Sequence, residues 1–137
     1  MPDTFKALIL SQGDDKQTVS EIRQLSDADL PDGDVLLAVD YSSLNYKDGL
    51  AITGKGKIVR TWPLVPGIDL AGTVRESASS DYAPGDKVIL TGWGVGEKYW
   101  GGYSQRQRVQ SKWLVPMPEG LDSRQAMAIG TAGFTAM

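Results

Sequence analysis

Neither cysteine nor histidine occurs anywhere in this sequence. Zinc and other borderline metals take thiolate or imidazole ligands, and carboxylates alone rarely hold a catalytic zinc, so no metal site is expected. The same absence excludes disulfides, Ser-His-Asp and Cys-His nucleophiles, and an imidazole base titrating near neutral pH. Chemistry here must come from Tyr, Asn, Ser, Thr, Lys, Arg, carboxylates, backbone groups or a borrowed cofactor. Apolar runs are short as well: none approaches the roughly 20 residues that cross a bilayer, and no membrane partner is expected. The first residues lack the basic flank, apolar stretch and small-residue cleavage site of a signal peptide, which favours the cytoplasm. Positive charge is also scarce, with 14 Lys and Arg against 17 Asp and Glu and a net charge of −3, scattered and without a basic stripe. Nucleic acid is therefore not an expected partner.

What is present fits one ordinary domain: 137 residues, 41% hydrophobic and 23% charged. Residues 5–10 form a short apolar run that ends at Gln12-Gly13-Asp14-Asp15, a strand and a turn. Residues 18–25 suit an edge or half-exposed strand, and residues 35–39 a buried one. Residues 43–51 can wind into a short helix capped by Ser42 or Ser43. Further strands are expected over residues 68–75, 87–91, 101–109 and 113–115, with Ala83-Pro84-Gly85-Asp86 as a turn. Only near the end does the pattern become helical: Leu121-Asp122-Ser123 caps residues 124–129, and residues 130–137 begin another helix. Many short strands with turns between them favour an antiparallel barrel or sandwich, mainly β with short helices. The last apolar helix stops after about two turns, which reads as truncation.

Several segments carry candidate chemistry. Residues 49–56 imitate a phosphate-binding loop, but Gly56 stands where a magnesium-binding hydroxyl is required, so an ordinary helix-to-loop transition is the better reading. Gly92-Trp93-Gly94-Val95-Gly96 follows a strand, as a dinucleotide fingerprint does, yet the residues after it cannot open a helix. Those glycines, with Trp93 and Trp100, either line a pocket or make a plain turn with aromatic cover. Residues 42–48 pack an amide, a phenol, an ammonium and a carboxylate behind a buried strand, which is either a site on a rigid scaffold or a capped, solvated turn. Lys55, Lys57 and Arg60 are a solvated loop unless an anionic ligand, such as the phosphates of a coenzyme, engages them.

Read together, the blocks at residues 42–48, 50–57, 65–74, 90–97 and 126–137, in that order, closely resemble the acrylyl-CoA reductase group of the quinone-oxidoreductase-like, zinc-free medium-chain dehydrogenase/reductases. The resemblance spans essentially the whole chain, and Pro84-Gly-Asp-Lys-Val88 is a broader mark of the superfamily. It implies a GroES-like, partly open β-barrel, the catalytic domain, at residues 1–121. Residues 122–137 would then start the helical connection to a Rossmann domain absent from this chain. In zinc-dependent relatives a His-Glu pair follows the Val-Pro-Gly segment and a Cys stands near Asn45; here Ile68 and Asp69 take the pair's place.

The implied reaction delivers hydride from NADPH to the β-carbon of acrylyl-CoA and a proton to the α-carbon, giving propionyl-CoA. Charge that builds on the thioester oxygen must then be met by hydrogen-bond donors. By resemblance, Asn45 and Tyr46 are the catalytic candidates, and Tyr46 and Thr131 contact the nicotinamide. A phenol, ordinarily protonated at pH 7 with a pKa of about 10, can donate without special tuning. Trp93 and Gly94 would wall the acyl pocket, and Lys55, Lys57 and Arg60 would meet coenzyme A phosphates. A quinone or enone acceptor, and a non-catalytic GroES-like binding module, are the alternatives. Relatives of this kind pair as homodimers, so the same is expected of the parent protein.

Overall fold

The computed structural model describes residues 4–136. Its first unit is an antiparallel pair, β1 (Thr4–Gln12) and β2 (Thr18–Ser26), registered with Thr4 opposite Ser26 and Gln12 opposite Thr18. Alternation explains the difference between them. Phe5, Ala7 and Ile9 of β1 recur with period two and are buried, whereas β2 carries charged and polar residues and leaves Ile22 72% exposed.

The second unit is a five-stranded antiparallel sheet with the order β6-β3-β4-β5-β7. Its members are β3 (Val35–Ser42), β4 (Asp69–Ser77), β5 (Lys87–Thr91), β6 (Arg106–Val109) and β7 (Leu114–Pro116). Isolated bridges from Ala7 to Ser104 and from Leu10 to Leu64 tie the first pair to this sheet's loops. Two helices complete the chain: α1 (Tyr46–Thr53), between β3 and β4, and α2 (Ser123–Ala136), after β7.

The main core lies on one face of the large sheet, where Val35, Leu37, Leu70, Val74, Val88, Leu90 and Trp113 pack together. Side chains of adjacent strand residues point to opposite faces, so Ala71 and Ile89 meet Ala126 and Met127 of α2 on the other side. A third cluster joins Phe5, Ala7 and Ile9 to Leu30, Leu36 and Val65. At about 25 cal/mol per Å² of apolar area, each fully buried Leu or Val contributes roughly 1.5–3 kcal/mol.

The mainly β reading with short helices stands, and several boundaries move. The strand expected over residues 101–109 begins only at Arg106, because residues 101–105 turn to contact both β1 and the approach to β4. In place of a strand starting at Trp113, a 3-10 turn occupies Ser111–Trp113 and the strand starts at Leu114. The cap of α1 is Asn45, not Ser42 or Ser43, because both serines have other partners: Ser42 Oγ donates to the Asp69 carbonyl at 2.6 Å and Ser43 Oγ to the Met127 carbonyl at 2.6 Å. The two helical segments expected near the C-terminus are one element with a kink at Gly130; Met137 lies outside the described residues.

Candidate functional site

Two buried carboxylates organise the site. Asp48 (1% exposed) lies in the first turn of α1, and Asp69 (0% exposed) is the first residue of β4. A carboxylate without water survives only when donors surround it, and both are surrounded. Asp48 Oδ1 accepts the Ile68 N–H at 3.0 Å, while Oδ2 accepts the Asn45 N–H at 3.0 Å, the Asn45 amide at 3.3 Å and the Tyr103 hydroxyl at 3.4 Å. Asp69 Oδ2 accepts the Asn45 amide at 3.0 Å and the Thr131 N–H at 2.9 Å, and Oδ1 accepts the Thr131 hydroxyl at 2.5 Å.

Asn45 is thus a bridge between the two carboxylates, with its amide nitrogen directed at both. Asp48 also completes a capping box with it, and its negative charge suits the positive end of the helix. Asp69 acts likewise on the second half of α2, whose first N–H, that of Thr131, points at it. The kink that exposes this N–H needs glycine: Gly130 has φ 53°, and a Cβ there would meet Ser43 Oγ at 2.9 Å and Asp69 Oδ2 at 3.1 Å.

Close backbone contact brings Tyr103 to the same place. Gly101, Gly102 and Tyr103 donate their N–H groups to Val65, Gly67 and Pro66, and a Cβ on Gly101 would lie 2.1 Å from the Gly67 oxygen. The Tyr103 hydroxyl then donates to the Ser43 carbonyl at 2.9 Å and to Asp48. Burial, reinforced by the charge of Asp48, its hydrogen bond and the charge of Asp69, pushes the Tyr103 phenol well above its ordinary value.

Beside Thr131 opens an apolar cavity of ≈ 320 Å³, lined chiefly by Ile89, Gly92, Met127, Ile129 and Gly130. Tyr46, one residue beyond Asn45, is 84% exposed. Trp93, one residue beyond Gly92, is 56% exposed. Gly94 anchors the glycine loop, its carbonyl accepting the N–H groups of Glu97, Lys98 and Tyr99 at 3.2, 2.8 and 3.0 Å. That loop is joined to α1 by an ion pair between Lys47 and Glu97 at 3.4 Å, and to the next loop by the Arg60 N–H, which donates to the Glu97 carbonyl at 2.8 Å.

Of the residues expected from sequence, Asn45 and Thr131 therefore meet on one carboxylate, with Tyr46 and the glycine loop close by in the chain or through the cavity. Lys55, Lys57 and Arg60 are exposed; Lys55 and Lys57 come just after the C-terminal end of the eight-residue α1, which lies about 12 Å from Asn45 along the helix axis, and the Arg60 backbone is bonded to Glu97. The carboxylate of Asp69 and the phenol of Tyr103 were not singled out from sequence as site residues. Asp69 leaves a signal, an acid inside the apolar run Gly-Ile-Asp-Leu-Ala, because such an acid is almost never buried unless partnered. Tyr103 leaves none. Among the described residues, no three acidic or metal-ligating side chains gather to hold a metal ion, and no helix is long and apolar enough to cross a membrane.

The large antiparallel sheet, the strand pair beside it and the capped helix that joins β3 to β4 define a GroES-like, partly open barrel of the catalytic-domain type. The alcohol dehydrogenase GroES-like domain matches residues 31–119, and the chain belongs to that family. It is 59% identical over 97% of its length to acrylyl-CoA reductase AcuI of Ruegeria pomeroyi, and 30% identical over 81% of its length to quinone oxidoreductase of Sus scrofa. It spans 41% of the former and 34% of the latter. The crystal structure of Escherichia coli K-12 YhdH with bound NADPH is 58% identical and superposes with a TM-score of 0.91, over 95% of this chain and 40% of that one.

Proposed function

We propose that this chain is the substrate-side part of an oxidoreductase that uses NADPH to reduce the carbon-carbon double bond of acrylyl-CoA. The observation that carries the reading is the pairing of Asn45 and Thr131 on Asp69, with Thr131 lining an apolar cavity. The likeness to an acrylyl-CoA reductase and to an NADPH-bound structure supports the choice of acceptor and cofactor. In this reading residues 1–121 form the substrate-side unit, and residues 122–137 start the connection toward a nucleotide-binding domain. The parent protein is a cytoplasmic homodimer.

The residues present fit such a cofactor. Thr131, held against Asp69 through its N–H and its hydroxyl, borders the apolar cavity and would contact the nicotinamide there. NADPH, when bound, supplies the hydride that goes to the β-carbon. Negative charge then grows on the thioester oxygen, and a donor placed there lowers the barrier. Asn45 is a poor candidate for that donor, since its amide nitrogen is directed at Asp48 and Asp69. It serves as a positioning residue, and the donor role falls to the exposed phenol of Tyr46. Trp93 and Gly94 border the acyl group, while Lys55, Lys57 and Arg60 meet the phosphates of coenzyme A, which extend well beyond the acyl group. No zinc takes part: the chain offers no thiolate or imidazole, and Ile68 and Asp69 stand where zinc-dependent relatives carry His and Glu.

The test is NADPH oxidation in the presence of acrylyl-CoA, measured for this chain and for the product of the whole open reading frame. Turnover by the longer protein is expected; turnover of quinones and not of acrylyl-CoA would overturn the acceptor. That second reading has its own support in the 30% identical quinone oxidoreductase. Silence with both acceptors would favour a non-catalytic GroES-like binding module.

A further inference from the structure

Among the described residues, two that are not glycine sit at positive φ: Lys16 at 59° and Trp93 at 61°. Lys16 belongs to the exposed turn between β1 and β2, where its N–H closes on the Gly13 carbonyl at 3.0 Å. A long polar side chain in solvent is a mild choice there. Trp93 is different. A bulky aromatic residue in the left-handed region brings its Cβ against its own backbone, so the conformation is disfavoured and persists only where neighbours impose it.

The neighbours do impose it. Gly92 and Gly94 flank Trp93 at φ 80° and 81°, and Gly96 follows at 82°. Three N–H groups converge on the Gly94 carbonyl, Val95 donates to Gly92 at 3.2 Å, and Gly96 donates to Tyr99 at 2.7 Å. The loop is thus closed around a left-handed run in which glycine would serve at every position. Folding does not explain the indole either, since it is 56% exposed and is not part of the hydrophobic core. Beside it, Gly92 lines the apolar cavity that Thr131 also borders, and an added Cβ at Gly92 would meet nothing within 4 Å, so there is room for a ligand.

We infer that Trp93 is a specificity-determining clamp, held in a strained backbone conformation so that its indole packs against the acyl thioester. The inference rests on the acyl-CoA reading above and adds that this residue trades stability for binding. At left-handed φ glycine is favoured over alanine, the reverse of their order at ordinary φ. Comparing Trp93→Gly with Trp93→Ala removes the indole from both, so the difference reports the backbone.

Thermal melting of the 137-residue chain is the first arm. Trp93→Gly is expected to melt about 3–5 °C above Trp93→Ala. The reverse order would overturn the strain. In the second arm, propionyl-CoA, already saturated and unable to accept hydride, is titrated calorimetrically into the product of the whole open reading frame. Trp93→Ala is expected to weaken binding at least about tenfold, with Trp93→Phe within about threefold of the unaltered protein. Lys16→Gly should melt higher with binding unchanged. Equal binding by Trp93→Ala would overturn the clamp. Absence of propionyl-CoA binding by the unaltered protein would overturn the acyl-CoA reading and the clamp's ligand with it, while the melting order would still decide on strain.

Discussion

The two ends of α1 are held in different ways. At its N-terminal end Asn45 and Asp48 are fixed by side-chain hydrogen bonds that reach β4 and the loop carrying Tyr103, and Asp69 extends the set to α2. At its C-terminal end Gly54 closes the helix through a backbone hydrogen bond to Leu50, and Lys55 and Lys57 then extend into solvent. The comparison separates rigidity from reach. Buried carboxylates with full sets of donors allow one arrangement, which suits a place where reacting atoms must be aligned. Exposed lysines form and lose contacts easily, which suits a flexible anionic tail.

The comparison breaks most sharply at Asp69. Replacing it by Ala removes the acceptor shared by the Asn45 amide, the Thr131 N–H and the Thr131 hydroxyl, and should reduce stability by about 3 kcal/mol in urea unfolding. A change under about 1 kcal/mol would mean that water replaces the carboxylate freely. Tyr46→Phe touches the exposed neighbour of the rigid cluster. Turnover by the longer protein should fall about 10²-fold, with the urea midpoint unmoved. Unchanged turnover would assign the donor elsewhere.

Alkaline pH tests the same cluster from Tyr103. Its folded-state pKa is raised, so its contribution to stability is complete below about pH 10, the unfolded value, and is lost as the pH climbs from there toward the folded value. Tyr103→Phe should be less stable at pH 7 and should lose part of this alkaline decline. An identical decline in the variant would place its origin at another phenol, such as Tyr82, which burial also raises, with Asp81 and Asp86 adding to the effect. The smallest effect is expected at the loose end: Lys55→Ala with Lys57→Ala should raise the KM for acrylyl-CoA about threefold at low salt and less at 0.5 M salt, because screening removes exposed charge interactions first.

How much of this was legible beforehand depends on the range of the contacts. A short apolar run ending in turn residues located β1, and only partial alternation marked β2 as an edge or half-exposed strand. The turn Ala83–Asp86 and the strand after it follow from local chemistry alone. The choice of helix cap did not. The sequence offered Ser42 or Ser43, whereas the cap adopted is Asn45, whose partner Asp48 stands three positions on, while the serines were drawn to carbonyls in β4 and α2. Strands that start late, at Arg106 and Leu114, do so because the preceding residues form hydrogen bonds elsewhere in the molecule.

By itself the sequence determined which chemistry is excluded, since no folding can supply a thiolate or an imidazole that the chain lacks. It also carried the family, through blocks of residues in a fixed order. Only the tertiary structure decided that Asn45, Asp48, Asp69, Tyr103 and Thr131 form one cluster, through contacts that span up to 62 residues. The physical reason is that a hydrogen bond needs atoms about 3 Å apart, and for residues so distant in the chain that proximity is set by how the sheet and the helices pack.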